Sequence, residues 1–284
     1  MPRSWLGLRI VVGDSPRRSL LNLGFGQSLP QFSHMSSLGL SGCPKADVAI
    51  FADTGDEPGW VYEHLEMLKA WSSIPIHVTS KGRLSQDVED RLTGKKKRVA
   101  AIPAWTRGRD GREAPLRRQC TKEYKIEPLE KKVRELLGYK KYQRNRHKVA
   151  CLLGISTDEI SRVKASCTHW ITNLFPLIDA GLSRADCVRV IEDAGLPVPK
   201  TSACVFCPYH DDRYWLDLKA NHPDEFARAV AFDRMIRDMS RTGIEQSVFL
   251  HRSLRPLDQI DFGQRLGLTV IDGFYAECEG LCGN

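Results

Sequence analysis

Short apolar runs separated by amphipathic stretches recur through the middle of the chain. Three of these runs are bounded by turn residues, as expected for buried parallel strands: 47–52, 74–79 and 149–156. Residues 19–23 predict a further short strand. Between the first two runs, residues 58–73 place Val61, Leu65 and Leu68 on one helical face. This strand–helix–strand unit predicts a parallel sheet with a crossover connection.

Helical patterns dominate the second half of the chain. They predict helices at 127–137, 183–195, 211–220 and 223–241. Ser183, with Asp186 three residues later, has the pattern of a variant capping box. Residues 80–125 predict an irregular, highly charged insertion. We therefore predict an α/β protein in three parts: an irregular N-terminus at 1–17, an α/β core at 18–175 and a helical, cysteine-bearing segment at 176–284.

Composition narrows the cellular setting. The chain has 284 residues, 42% of them hydrophobic, and nine cysteines, an odd number that disfavours a disulfide-stapled secreted protein. The first apolar stretch is short and interrupted by Arg9, and no run approaches the roughly 20 residues of a membrane span. We expect a cytoplasmic protein with reduced thiols and no membrane partner. In that setting, closely spaced cysteines indicate metal binding or redox chemistry.

The net charge of +7 is partly concentrated in two basic runs, at 94–98 and 139–148. Such runs can contact phosphates, and the tyrosines within the second run could stack on bases, so tRNA or DNA is a candidate partner. The plainer interpretation is that both runs are solvated loops.

Polar turns follow three of the predicted strands, at 24–28, 53–55 and 154–159. Ligands of open parallel sheets bind beyond the carboxyl ends of the strands. Glycine lets backbone N–H groups approach a phosphate, and a carboxylate such as Asp53 can hold a ribose hydroxyl or Mg²⁺. An ordinary turn would also use Asp and Gly, but three such turns at equivalent positions favour a nucleotide site.

Cys120 lies in a cationic stretch at residues 116–125. Its basic neighbours are Arg117, Arg118, Lys122 and Lys125. Positive neighbours favour the thiolate and suit an anionic substrate, although a salt-bridged surface loop would have the same composition.

Two further cysteine pairs have the spacing of metal ligands. Cys204 and Cys207 form a C-x-x-C-P sequence, and Cys278 and Cys282 lie near the end of the chain. Two such pairs can hold zinc or an iron–sulfur cluster. A redox dithiol and unliganded thiols are the alternatives.

Several motifs together resemble one protein superfamily. They are I-F-A-D-T-G-D-E-P, R-R-Q-C-T-K-E-Y-K-I, G-I-S-T-D-E-I-S-R-V-K, A-C-V-F-C-P-Y-H, H-R-S-L-R-P-L and C-E-G-L-C-G. The combination, from about residue 46 to the end of the chain, resembles the phosphoadenosine-phosphosulfate-reductase-like branch of the PP-loop (adenine nucleotide alpha-hydrolase) superfamily, of the phage and bacterial type. The resemblance implies a flavodoxin-like parallel sheet that binds ATP and Mg²⁺ at its strand ends. It also implies a cysteine-held [4Fe-4S] cluster, with zinc as the alternative.

The implied reaction is adenylation of a substrate followed by sulfur transfer to nucleic acid or a small molecule. The implied nucleotide-binding residues are Gly24, Gly26, Gln27, Ser28, Asp53, Thr54 and Gly55. The implied catalytic residues are Asp53, Arg117, Arg118, Cys120, Lys125, Asp158 and Glu159. The implied metal ligands are drawn from Cys120, Cys204, Cys207, Cys278 and Cys282.

Two other functions remain open. Reduction of an adenylylated sulfate would use a nucleophilic cysteine near the C-terminus, where Cys278 and Cys282 lie. The glycine-rich loop L-G-F-G-Q-S is one glycine shorter than the family's S-G-G-x-D-S or G-G-G-x-Q-S, which favours a non-catalytic nucleotide- or nucleic-acid-binding protein with a structural metal.

Overall fold

The structure is a computed structural model that describes residues 9–11, 20–22, 46–108 and 110–266. A mixed sheet lies at its centre. Its strands are β1 (Arg9–Val11), β2 (Leu20–Asn22), β3 (Val48–Asp53), β4 (Ile76–Ser80), β7 (Lys148–Leu152) and β8 (Ile171–Leu174). A separate antiparallel hairpin consists of β5 (Trp105–Arg107) and β6 (Glu113–Pro115).

The parallel strands of the sheet lie in the order β4-β3-β2-β7-β8, and β1 pairs antiparallel with β7. Leaving β1 aside, this is the 3-2-1-4-5 order of doubly wound nucleotide-binding sheets, whereas flavodoxin has the order 2-1-3-4-5. The strand order reverses between β2 and β7. The carboxyl ends of β2, β3 and β7 therefore surround the crevice where such sheets bind ligands.

Helices cover the sheet and build the C-terminal part. The α-helices of the described residues are α1 (Gly59–Trp71), α2 (Leu84–Leu92), α3 (Glu127–Leu136), α4 (Pro176–Asp179), α5 (Arg184–Asp193), α6 (Asp212–Asn221), α7 (Pro223–Met235) and α8 (Phe262–Arg265). A π-helix at Lys122–Ile126 leads directly into α3. Short 3₁₀ turns lie at Thr157–Arg162, Ser240–Thr242 and Leu257–Gln259.

The predicted α/β class is confirmed, and most predicted elements are present within a few residues. Three expectations were wrong. The insertion at 80–125 is not irregular throughout, because Leu84 and Val88 give α2 a buried face and β5 and β6 form a hairpin. The helix predicted at 223–241 ends at Met235, and a 3₁₀ turn follows. The strand β1 also lies within the N-terminal stretch that we expected to be irregular.

Buried apolar side chains join the two halves of the chain. The largest cluster combines residues of 84–124, such as Leu84 and Tyr124, with residues of 204–262, such as Trp215. Phe206, between the two cysteines of the C-x-x-C sequence, stacks on Phe232 of α7 with ring centroids 3.7 Å apart. This packing anchors the C-x-x-C turn against the insertion that carries Cys120.

Candidate functional site

The carboxyl end of β3 is a tight turn organised by the Asp53 carboxylate. Asp53 Oδ1 accepts hydrogen bonds from Gly55 N at 2.7 Å and from the Tyr62 hydroxyl at 2.9 Å. Burial and the Asp53 carboxylate raise the pKa of Tyr62 far above its usual value. Gly55 has a φ of +75°, and a Cβ there would lie 3.1 Å from Arg83 Cα. Glycine is therefore required at this position by both conformation and space.

Asp56 connects this turn to α2. Its buried carboxylate accepts hydrogen bonds from Arg83 Nε at 3.0 Å and from the backbone N and side-chain hydroxyl of Ser85, both at 2.7 Å. These contacts satisfy donors at the start of α2, as an N-capping carboxylate does. The Asp56 carbonyl also accepts from Val205 N at 2.9 Å, so the same residue ties the β3 turn to the C-x-x-C turn.

A buried chain of polar groups runs from Cys204 to Lys125. Cys204 Sγ lies 3.1 Å from Thr54 Oγ1, and Thr54 Oγ1 donates to Glu57 Oε1 at 3.2 Å. Since the threonine hydroxyl has one proton, the Cys204 thiol is the donor in the first contact. Lys125 Nζ donates to the same Glu57 oxygen at 3.2 Å, and the exposed fractions of these two side chains are only 6% and 0%.

The Glu57 carboxylate influences the protonation of both Lys125 and Cys204. Burial by itself lowers the pKa of Lys125, but the Glu57 carboxylate, helped by Cys204, raises it overall, so the ammonium stays charged. Burial, and then the Glu57 carboxylate, raise the pKa of Cys204 well above its usual value. Without a metal, therefore, Cys204 is a protonated thiol at neutral pH.

Cys207 and Cys120 face a different environment. Burial raises the pKa of Cys207, while the nearby Arg118 guanidinium opposes that rise and Cys120 adds to it. Arg118 lies over the Tyr209 ring, 5.2 Å from its centroid. Arg118 and Cys120 therefore lie close enough to Cys207 for their charges to act on its pKa.

His210 stabilises the C-x-x-C turn through a contact with the Cys204 carbonyl. Cys207 N donates to the Cys204 carbonyl at 2.8 Å, and His210 Nε2 lies 3.0 Å from the same carbonyl. The imidazole stacks on Tyr214 at 3.5 Å between ring centroids. Burial lowers the pKa of His210 to about 3, so the ring is neutral and Nε2 carries the proton that it donates.

Two buried polar atoms beside the thiols make no hydrogen bond within the described part of the chain. They are Glu57 Oε2 and the Tyr214 hydroxyl. Burial raises the pKa of Tyr214, and Cys207 and Glu57 raise it further, which places all three groups in one electrostatic neighbourhood. Unsatisfied buried polar atoms of this kind often mark the position of a bound group.

Thiols are the ligands that suit a soft metal or a cluster, and Cys120 lies near enough to Cys207 to influence its pKa. Among the described residues, however, no three His, Cys, Asp or Glu side chains are grouped closely enough to hold a metal ion. Cys278 and Cys282 lie outside the described residues, so the complete ligand set stays a prediction. The same is true of Gly24, Gly26, Gln27 and Ser28.

Asp158 and Glu159 lie at the same sheet edge as Asp53, beyond the end of β7, but their contacts are structural. Asp158 Oδ2 accepts a hydrogen bond from Arg184 N at the start of α5. Glu159 forms an ion pair with Arg162. Arg117 is exposed. Lys125, which we expected to face developing charge, instead lies in the interior beside Glu57.

The two basic runs differ once they are folded. Most cations of residues 94–98 form ion pairs: Lys95 with Asp90, Lys96 with Asp87 and Arg98 with Glu123. In residues 139–148, no ion pair with an acidic residue is found within the described part of the chain. Among the described residues, the second run therefore presents more uncompensated positive charge than the first, in which Lys97 has no ion pair.

Sequence reasoning missed Glu57, Asp56 and Tyr214 as parts of the site. Asp56 and Glu57 directly follow the predicted turn at 53–55, and the sequence analysis gave them no role. Their burial follows from long-range partners, namely Lys125, Ser85 and Arg83. The π-helix that carries Lys125 could not be distinguished from the α-helix that follows it, although π-turns often accompany functional sites.

Comparisons of the chain with protein-family models, with curated proteins and with solved structures found no match. No α-helix among the described residues combines the length and apolar character needed to cross a membrane.

Proposed function

We propose that this protein is an ATP-dependent enzyme of the PP-loop type, which adenylates a substrate so that sulfur can replace AMP. One observation carries the proposal. Thr54, in the turn that ends β3, lies 3.1 Å from the sulfur of Cys204. The strand end expected to bind the nucleotide therefore lies directly beside the turn expected to bind the metal, which supports a single site for both. The strand order supports the finer proposal of an adenine nucleotide alpha-hydrolase type of sheet.

In this proposal, an acceptor oxygen attacks the α-phosphorus of ATP, the α–β bond breaks and pyrophosphate leaves. A sulfur nucleophile from a donor then displaces AMP from the adenylated acceptor. Asp53 holds ribose or Mg²⁺ through the carboxylate oxygen that does not bond to Gly55, and residues 24–28 hold the pyrophosphate. Arg117 and Arg118 stabilise the charge that develops on the phosphates.

The cysteine thiols of the site would bind the metal or cluster. Cys120, Cys204 and Cys207, with Cys278 or Cys282, would hold a [4Fe-4S] cluster or zinc, and a bound cluster would supply redox chemistry or a site for sulfur. Glu57 and Lys125 act as positioning residues, because they fix Thr54 against Cys204 rather than contacting the nucleotide. They also exclude water from behind the thiols.

A non-catalytic function is the second candidate, and one observation favours it. Lys125 and Asp158, both expected to be catalytic, are engaged in structural contacts with Glu57 and Arg184. A nucleotide-binding protein with a structural metal would have these contacts and would need no free catalytic groups.

The decisive experiment uses protein purified without oxygen. Asp53→Asn keeps an acceptor for the Gly55 N–H group but removes the charge, so we expect it to lose ATP binding and to keep its metal. Cys204→Ser should lose the bound metal, as measured by iron, sulfide and zinc analysis. Asp110→Asn, in an exposed loop, is the matched control and should change neither.

The outcomes separate the candidates. ATP–pyrophosphate exchange in the presence of an acceptor supports the enzyme. ATP binding without exchange for any oxygen acceptor supports the non-catalytic protein. If Asp53→Asn binds ATP as tightly as the parent protein, the nucleotide site is elsewhere and both versions fail.

A further inference from the structure

The loop between α3 and β7 carries a concentration of charge that the adenylation site does not use. Residues 139–148 contain five basic side chains and no acidic one. Lys148 donates to the His169 carbonyl at 2.8 Å. The other four cations, on Lys140, Lys141, Arg144 and Arg146, form no ion pair within the described part of the chain. Four uncompensated charges in seven residues create a strongly positive surface.

This loop is a braced turn. Arg134 of α3 donates hydrogen bonds to the carbonyls of Lys140, at 3.3 Å, and Gln143. Lys140 N donates to the Gln143 side-chain oxygen at 3.0 Å, and Gln143 N donates to the Lys140 carbonyl at 3.1 Å. The Tyr139 hydroxyl accepts from Arg146 N at 2.9 Å. The loop is therefore organised before any ligand arrives, which reduces the entropy lost on binding.

Tyr142 stands at the tip of the turn. Its side chain is 88% exposed, and its φ of +68° lies in the left-handed region that few residues other than glycine adopt. Lys141 Nζ lies 4.9 Å from the centroid of the ring. Tyr142 therefore has no role in packing the core. Its ring lies in water, beside a cation and on a strained backbone.

A cavity of about 540 Å³ opens beside the turn. Its polar lining comes from Tyr139, Gln143, Arg144, Arg146 and His147. Its volume is in the range of small-ligand sites, and its cationic lining suits a phosphate.

We propose that this loop binds single-stranded nucleic acid, with an unpaired base stacked on Tyr142 and the backbone phosphates on Lys140, Lys141, Arg144 and Arg146. Stacking on an exposed ring requires a free base face, which single strands offer and duplexes do not. Residues 94–98 are not part of this surface, because acidic neighbours neutralise most of their charge.

The loop lies at the amino end of β7, whereas the candidate site lies at the carboxyl ends of the strands. Five residues of β7 separate the two ends by roughly 15 Å. The loop would therefore bind a nucleic-acid strand a few nucleotides away from the nucleotide that reacts at the candidate site. Naming nucleic acid as the acceptor rests on the proposed function, but binding by the loop does not.

Fluorescence anisotropy of the full-length protein without ATP tests this inference. The probes are labelled single-stranded RNA and single-stranded DNA of roughly 12 nucleotides, and a duplex of the same length. We expect the parent protein to bind single strands more tightly than the duplex. Tyr142→Ala should weaken binding roughly fivefold to a hundredfold, while Tyr142→Phe retains it. A preference between the two single strands identifies the sugar that the protein recognises.

Charge is tested separately through the salt dependence. Arg144→Gln combined with Arg146→Gln should reduce the slope of log affinity against log salt by about 1.4, since each phosphate contact of a single strand contributes about 0.7. Lys95→Gln combined with Lys96→Gln removes the same charge from residues that are already paired, and should leave the slope almost unchanged. The inference is overturned if neither single strand binds at low salt, if the duplex binds equally well, or if Tyr142→Ala binds like the parent.

Failure of this inference is distinguishable from failure of the proposed function. Oligonucleotide binding without any ATP binding would leave the loop assignment intact and reject the PP-loop enzyme. ATP binding and exchange in a protein that binds no oligonucleotide would do the reverse.

Discussion

At the scale of single residues, the least expected feature is the buried ion pair between Glu57 and Lys125. Taking both charges out of water is unfavourable, and their attraction offsets this only because additional contacts support it. Thr54 supplies one such contact by donating to Glu57 Oε1. Because Thr54 also contacts the Cys204 thiol, the Glu57–Lys125 pair helps to fix the position of that thiol.

Removal of one partner should expose this dependence. We expect Lys125→Met to lower the free energy of unfolding by about 3–5 kcal/mol, since it leaves the Glu57 carboxylate buried without a counter-charge. Glu57→Gln combined with Lys125→Met should recover part of that loss. Denaturant unfolding measures both variants, and Lys122→Met, at an exposed position, should stay within about 0.5 kcal/mol of the parent. A Lys125→Met protein as stable as the Lys122→Met control would contradict this account.

At the scale of elements, the start of α5 explains why a residue chosen for catalysis has a structural role. Ser183 and Asp186 form a reciprocal capping box, as the sequence predicted. Asp158, arriving from the turn after β7, accepts a hydrogen bond from Arg184 N as well. The turn after β7 is therefore fastened to the helix by the same carboxylate that we had assigned to the active site.

These two roles of Asp158 give different results on substitution. As a helix cap, Asp158→Ala should lower the free energy of unfolding by about 1 kcal/mol and leave ATP affinity unchanged. Asp158→Asn keeps an acceptor oxygen and should restore most of the stability. Unfolding curves and ATP titrations of the same preparations provide both quantities. If Asp158→Ala loses ATP binding at unchanged stability, Asp158 acts in the nucleotide site and not as a helix cap.

At the scale of the whole molecule, buried histidines should make stability sensitive to acid. His64 of α1 is 9% exposed, and burial lowers its pKa from 6.5 to about 4. Between these values the unfolded chain binds a proton that the folded protein does not. The stabilising contribution is therefore fully present above pH 6.5 and is lost as the pH falls towards 4.

We expect this histidine to contribute up to about 3 kcal/mol to the decline in unfolding free energy between pH 6.5 and 4. His64→Leu should flatten the decline, because it removes the group that takes up the proton. His169→Gln, at an exposed position, should leave the decline as it is in the parent. Denaturant unfolding at several pH values is the measurement, and an equally steep decline in His64→Leu would show that other groups are responsible.

Much of the secondary structure followed from the sequence because it depends on neighbours. Strand β3 is a continuous apolar run, and α1 has a repeating apolar face, so a window of a few residues contains the necessary information. The capping box of α5 is equally local, since its two partners are three positions apart. The sequence did not predict α2, because the buried face of this helix consists of only Leu84 and Val88 within a charged stretch.

The candidate site itself was decided by tertiary structure. The contact between Thr54 and Cys204 joins positions 150 residues apart, and that between Glu57 and Lys125 joins positions 68 apart. Whether a charge is buried or solvated depends on which distant group the chain brings to it. The same reason separates the two basic runs, which look alike in sequence, although among the described residues only the run at 94–98 meets acidic partners. By itself the sequence determined which residues could do chemistry, and the path of the chain decided which of them meet.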